Sequence, residues 1–189
     1  MGDVNYCIYC LGRTDGKDIC PHCGRDRKEY STQPHHLAPY TILNGRYLIG
    51  IALGEGGFGI TYIGHDLNLD MIVAVKEYYP FGYVNRNYTY SDEVSVSGML
   101  SHEEYEKGKG KLMEEARTLA KLAGLKGIVG VRDFFLINNT AYIVMDYLKG
   151  CTLKDYLRMN GKLSFTQTIR LLTPIAEALA EVHRTGLIH

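Results

Sequence analysis

The 189 residues carry 21 basic and 21 acidic side chains, so the formal net charge is zero, and 46% are hydrophobic against 22% charged. That is the composition of an ordinary globular chain, without the basic excess that follows a nucleic-acid backbone or an anionic membrane surface. No apolar run is long enough to span a bilayer. The start, Met1-Gly2-Asp3-Val4-Asn5-Tyr6, lacks the basic and apolar regions of a secretory signal, so the expected location is the cytoplasm.

Four of the five cysteines fall within the first 23 residues, as Cys7-Ile8-Tyr9-Cys10 and Cys20-Pro21-His22-Cys23. Each Cys-x-x-Cys can present two thiolates to one ion, and two such knuckles complete a tetrahedral four-sulfur zinc site. Residues 1–29 contain too few apolar side chains to build a core, so bound metal would supply most of their folding free energy. A redox pair is disfavoured by the repeated spacing, and disulfides by the expected compartment. Five basic and five acidic side chains balance in this segment. It is therefore expected to be a structural or protein-contacting zinc ribbon and not a nucleic-acid reader.

Residues 30–44 contain Pro34, Pro39 and the pair His35-His36 with no hydrophobic period, and read as a linker. From Gly45 onward the pattern is that of a packed α+β domain. Strands are expected over Arg46–Leu53, Ile60–Gly64, Met71–Glu77, Val131–Ile137 and Ala141–Tyr147, the last two joined by the turn pair Asn138-Asn139. A helix is expected from about Ser101, which opens a capping-box pattern, to about Ala123. Two further starts of that kind, at Thr152 and Ser164, predict two more helices. The second carries Phe165, Ile169, Leu172, Ile175, Leu179 and Val182 at helical spacing, with Pro174 inside it and Gly186 as its stop.

Gly54-Glu55-Gly56-Gly57-Phe58-Gly59 fits G-x-G-x-x-G, and the residues after it decide what it is. A P-loop needs Lys at the position of Ile60. A dinucleotide-binding turn needs a helix there, but Ile60-Thr61-Tyr62-Ile63 is β-branched and aromatic and reads as strand. A strand–turn–strand followed by Val73-Ala74-Val75-Lys76 is the arrangement of a kinase glycine-rich loop and its strand lysine. In a strand, Ala74 and Lys76 share one face. On the long helix, Glu115 is in register with Leu112, Leu119 and Leu122, which turns it inward, whereas Glu114 keeps company with Lys111, Arg117, Thr118 and Lys121. An inward acid requires a partner, and the expected one is Lys76.

Together with Arg46-Tyr47-Leu48-Ile49-Gly50, Glu114 to Ala120 and Ala141 to Leu148, these motifs resemble the eukaryotic-like serine/threonine kinases of bacteria over residues 45–189. The resemblance implies a kinase N-terminal lobe, a five-stranded antiparallel sheet with its helix, and a hinge over residues 45–148. The first helices of a C-terminal lobe would then occupy 149–189. It implies ATP and Mg²⁺ as cofactors and a protein substrate or regulatory protein as partner. Gly54, Glu55, Gly56, Gly57, Phe58 and Gly59 would cover the phosphates, Lys76 would position them, and Glu115 would hold Lys76. Leu53, Thr61 and Ala74 would roof the adenine, Met145 would back its pocket, and Asp146 and Leu148 would offer hinge backbone groups. Thr61 stands where Val is more usual, and Cys151 falls near the ribose position. His183 to His189 resembles the approach to the catalytic loop, with His189 as the His of His-Arg-Asp. The catalytic Asp and the Asp-Phe-Gly metal ligand do not occur in the sequence. The expectation is a truncated, inactive kinase fragment; the alternative is a non-catalytic interaction module.

Overall fold

The computed structural model describes residues 5–57, 59–86, 90–98 and 100–184. Phe58, Gly186 and His189 lie outside them. The domain is built on a six-stranded antiparallel sheet of β1 (Ile42–Leu43), β2 (Tyr47–Gly56), β3 (Gly59–Asp66), β4 (Met71–Tyr78), β8 (Thr140–Asp146) and β7 (Val131–Ile137), in that spatial order. A second pair, β5 (Val84–Asn85) and β6 (Ser95–Val96), lies beside it. Among the described residues, three α-helices complete the fold: α1 (His102–Lys121), α2 (Leu153–Asn160) and α3 (Phe165–Arg184).

Local sequence accounts for the element ends. Asn138 and Asn139 both adopt positive φ, 54° and 55°, and close the β7–β8 hairpin. Ser101 accepts from the Glu104 amide while Glu104 reaches back to the Ser101 amide, a reciprocal cap for α1. Ser164 and Gln167 repeat the exchange ahead of α3. Gly59 is required by packing, since a Cβ there would stand 2.1 Å from the Glu77 carbonyl oxygen on the neighbouring strand.

The two faces of the sheet are covered differently. Tyr47, Ile49, Ile60, Tyr62, Val73, Val75, Tyr142 and Val144 form the main core on one face, which we call the outer face. Leu37, Leu43, Tyr79, Val84 and Val94 close over it. The other, inner face meets α1 through Leu112 and Ala116, packed on Ala141 and Ile143. Each fully buried side chain of this kind contributes about 1.5–3 kcal/mol.

The structure departs from the sequence reading at four points. Residues 30–44 are not a free linker: Leu37 and Leu43 are each 1% exposed, and Ile42–Leu43 adds a sixth strand to the five expected. Two isolated apolar anchors have no period, which is why the segment read as unstructured. The pair β5–β6 was not anticipated, because its strands are two residues long. Glu115 faces the sheet side of α1, but its side chain is 48% exposed and not buried; the helix packs on the sheet through Leu112 and Ala116, and through Tyr105, which joins the main core. α3 runs unbroken through Pro174, with Val182 buried and Phe165, Ile169, Leu172, Ile175 and Leu179 exposed.

The Cys-rich segment packs on the sheet. The irregular register of β2 between Ile49 and Ala52 leaves the Ile51 amide free to donate to the Ile8 carbonyl, at 2.9 Å. Tyr40 donates its hydroxyl to the Tyr6 carbonyl, and the Tyr6 ring lies 4.8 Å from that of His65. Ile8 and Leu11 are both buried.

Candidate functional site

β-Sheet register gathers the sequence-predicted residues on the inner face. Gly54 pairs with Thr61, Thr61 with Lys76, and Ala74 with Met145. Directly opposed residues share a face, so Gly54, Thr61, Ala74, Lys76 and Met145 look the same way. Because α1 packs on that face too, Glu115 meets the lysine: Lys76 Nζ lies 3.2 Å from Glu115 Oε1. Glu114 is exposed and makes no such contact. The pair is partly solvated, with 32% and 48% of the two side chains exposed. Its worth to stability is at most about 1 kcal/mol, so its geometry matters more than its energy.

A cavity of about 380 Å³ opens under the glycine-rich turn, lined by Gly54, Glu55, Gly56, Gly57, Gly59, Thr61 and Lys76. Apart from chain neighbours, no described protein atom lies within 4 Å of where a Cβ would stand at Gly54, Gly56 or Gly57. Their lack of a side chain is thus not demanded by packing, and it leaves backbone open to a ligand. Ala74 is 7% exposed, Leu53 44% and Leu148 74%. The Asp146 amide donates to the Gly130 carbonyl at 2.9 Å, and its carboxylate receives Arg132 Nε at 2.5 Å. Cys151 is exposed and precedes Thr152, which caps α2. Phe58 of the turn is outside the described residues.

The four clustered cysteines converge. Cys7 Sγ lies 3.7 Å from Cys23 Sγ, and Cys10 Sγ 3.6 Å from Cys20 Sγ, with all four sulfurs within 4.8 Å of one another. These separations are far beyond a disulfide bond and match the edge of about 3.8 Å in a tetrahedron of metal–sulfur bonds near 2.3 Å. The Tyr9 and His22 amides donate to Cys7 and Cys20 Sγ, both at 3.4 Å, as two knuckles should. Burial pushes the Cys7 and Cys10 thiols up, Cys10 to about 12. At Cys20 burial is outweighed by backbone donors from Cys23 and His22 and by the neighbouring thiols, which bring it to about 7. His22 does not join the cluster; its Nε2 lies 3.0 Å from the Arg13 carbonyl oxygen.

Sequence reasoning did not anticipate a buried polar network on the outer face. Glu77, next to Lys76 but on the opposite side of β4, is fully enclosed and ion-paired with Arg86. Tyr142 and Tyr62 donate their hydroxyls to it at 2.7 and 3.0 Å. Burial and the Glu77 charge together raise both tyrosines above their ordinary range. Burial opposes the Arg86 charge, yet the Glu77 carboxylate outweighs it and raises Arg86. The available signal was the strand alternation, which puts Glu77 on the core side with Val73 and Val75.

Comparison with known proteins agrees with this geometry. The model for the protein kinase domain matches residues 47–189. A probable serine/threonine-protein kinase of Clostridium acetobutylicum is 34% identical over 151 residues, 79% of this chain and 20% of the relative. Serine/threonine-protein kinase PrkC of Bacillus subtilis is 29% identical over 150 residues, 78% of this chain and 19% of its own length. The chain thus spans about a fifth of the length of these curated relatives. Among solved structures, PpkA-294 in its apo form superposes with a TM-score of 0.74 at 31% identity, covering 82% of this chain and 54% of that one. The kinase domain of Mycobacterium tuberculosis PknI shares the fold at 22% identity, with a TM-score of 0.58, over 82% of this chain and 53% of that one. With a glycine turn, strand lysine and helix glutamate on one sheet face and the family model over most of its length, this chain belongs to the protein kinase family, beside bacterial serine/threonine members.

Proposed function

We propose that this chain is the nucleotide-gripping part of a serine/threonine protein kinase that transfers the γ-phosphoryl group of ATP to protein hydroxyls. The observation that carries the reading is the 3.2 Å contact between Lys76 and Glu115 on the face beneath the glycine-rich turn. Glu115 fixes the direction of the ammonium group, and Lys76 offers its charge to the phosphates. The amides of Gly54, Gly56 and Gly57 close over them where no side chain intervenes. Leu53, Thr61 and Ala74 roof the base, Met145 backs it, and Asp146 and Leu148 supply hinge backbone groups. Mg²⁺ would neutralise charge developing on the phosphates, held by acidic ligands of an Asp-Phe-Gly type that residues 1–189 do not contain. By themselves these residues bind ATP weakly and do not transfer phosphate.

Cys7, Cys10, Cys20 and Cys23 are proposed to hold one structural Zn²⁺, for which their donor set and spacing are suited. The ion would order a segment that packs on β2 and would take no part in phosphoryl transfer.

A radiolabelled-ATP assay tests the kinase reading, comparing this chain alone with a chain carrying a complete C-terminal lobe. The longer chain should be active. Lys76→Ala should cost it about 100-fold or more, the scale for losing one transition-state electrostatic contact. Glu115→Gln should also lower activity and Glu114→Gln should not. Activity in the short chain would overturn the proposed division of labour. Inactivity of the longer one with intact catalytic motifs would favour a non-catalytic interaction module.

A further inference from the structure

The segment between the cysteine cluster and the sheet makes a contact that the nucleotide site, as read above, does not use. His35 and His36 both aim Nε2 at Oε2 of Glu55, from 3.1 and 2.9 Å. Glu55 belongs to the glycine-rich turn, but it pairs with Ile60, whose side chain lies in the outer-face core. Its carboxylate therefore leaves on the side away from Thr61 and Lys76.

The histidines are themselves anchored. His36 is 7% exposed, edge-on to the Tyr62 ring at 6.2 Å. The next amide, of Leu37, donates to the Tyr62 hydroxyl at 3.1 Å. The His35 ring packs against Phe81 and Tyr79, and its carbonyl accepts from Arg86 Nη1 at 3.2 Å. That same nitrogen donates to Glu77. A polar path thus runs from Glu77, the neighbour of Lys76, through Arg86 and His35 to the turn.

The same three side chains have the composition of a cation site, with ligand atoms within 4.8 Å of one another. The second nitrogen of His36 argues against that use. A metal on Nε2 would leave the proton on Nδ1, and ligating histidines hand that proton to an acceptor. Among the described residues, His36 Nδ1 is buried without a hydrogen-bond partner. The ring is thus suited to donate from Nε2 to a carboxylate, and these bonds hold the Glu55 carboxyl below its ordinary range.

We propose that His35 and His36 are positioning residues for the nucleotide: by holding Glu55 they fix the glycine-rich turn over the sheet and so strengthen the grip on the ATP phosphates. The inference rests on the reading that this turn covers those phosphates. A turn built on Gly54, Gly56 and Gly57 has little packing of its own, and such segments open at small cost. Apparent affinity scales with the fraction of molecules whose site is competent. A hydrogen bond to a half-exposed carboxylate shifts such an equilibrium by roughly three- to tenfold.

The test has two arms. Hydrogen exchange without nucleotide should show faster exchange in the turn amides of His36→Ala, with the α1 amides unchanged. In the full-length protein, His36→Ala should raise KM for ATP about fivefold with kcat within about twofold. His36→Gln, which keeps an N–H donor, should recover most of the loss. Glu55→Ala, which removes both histidine bonds, should cost at least as much as His36→Ala, and adding His36→Ala to it should cost nothing further. Unchanged exchange beside normal ATP binding would overturn the latch alone. Protein that binds no ATP would overturn the nucleotide reading, and with it the affinity claim. A second bound metal ion lost in His35→Ala/His36→Ala would show that the trio is a cation site instead.

Discussion

Arg86→Met should be among the most damaging single substitutions in the domain, although Arg86 lies in a segment with little regular structure. The guanidinium and the Glu77 carboxylate both have fully buried side chains. Methionine removes the counter-charge and two of the four donors to Glu77 seen among the described residues, leaving the Tyr62 and Tyr142 hydroxyls. It also strips a donor from the Asp92 and His35 carbonyls. Breaking a buried pair from one side costs about 3–5 kcal/mol, a large share of the roughly 5–15 kcal/mol that holds a domain together. With a urea dependence of about 2 kcal/mol per molar, the midpoint should fall by about 1.5–2.5 M. The chain has 15 tyrosines and no tryptophan, so tyrosine fluorescence and far-UV circular dichroism, with zinc present throughout, are suitable probes. Glu77→Leu combined with Arg86→Met removes both charges and should cost well below the sum of the single variants, because neither leaves the other stranded. A loss under about 1 kcal/mol in Arg86→Met, or strict additivity in the pair, would refute the claim that the charges depend on each other.

Two further outcomes follow from the sulfur cluster and from a second ion pair. Purified protein should carry about one zinc per chain and, with cobalt substituted, show thiolate-to-metal charge transfer in the near ultraviolet; Cys20→Ser should lose both, and a folded, metal-free ribbon would refute the site. Asp66, 1% exposed, accepts from Arg46 at 2.9 and 2.7 Å and from the Asn68 and Leu69 amides, and the Arg46 bonds hold its carboxyl below the ordinary range. A depressed carboxyl stabilises the fold fully above its unfolded value of about 3.9 and loses that contribution as pH falls through the lower folded value. Asp66→Asn should therefore cost about 1–3 kcal/mol at neutral pH, with the gap to the parent closing in acid; a gap independent of pH in urea titrations would contradict the assignment.

The inner face was legible in the sequence because its signals are local. Strand alternation puts Ala74 and Lys76 together, helical spacing turns Glu115 and not Glu114 toward them, and the two Cys-x-x-Cys pairs declare their own geometry. The outer face has no such period. Its lid is assembled from Leu37, Leu43, Val84 and Val94, single apolar residues scattered among polar ones over nearly 60 positions of chain. Only the tertiary structure brings them to one surface. The rule that an inward acid needs a partner was sound, but of two inward acids it suits Glu77 better than Glu115. Glu115 remains half in water beside Lys76, where an ion pair is cheap to make and to break. Glu77, one residue beyond that lysine, points into the core, where a carboxylate is tolerated only with its charge and lone pairs answered. Strand β4 therefore carries a loosely held ion pair on one face and a tightly held one on the other. The tight pair pins the strand to the segment bearing His35 and His36. The half-exposed Lys76–Glu115 pair can make and break without disturbing the sheet that carries it.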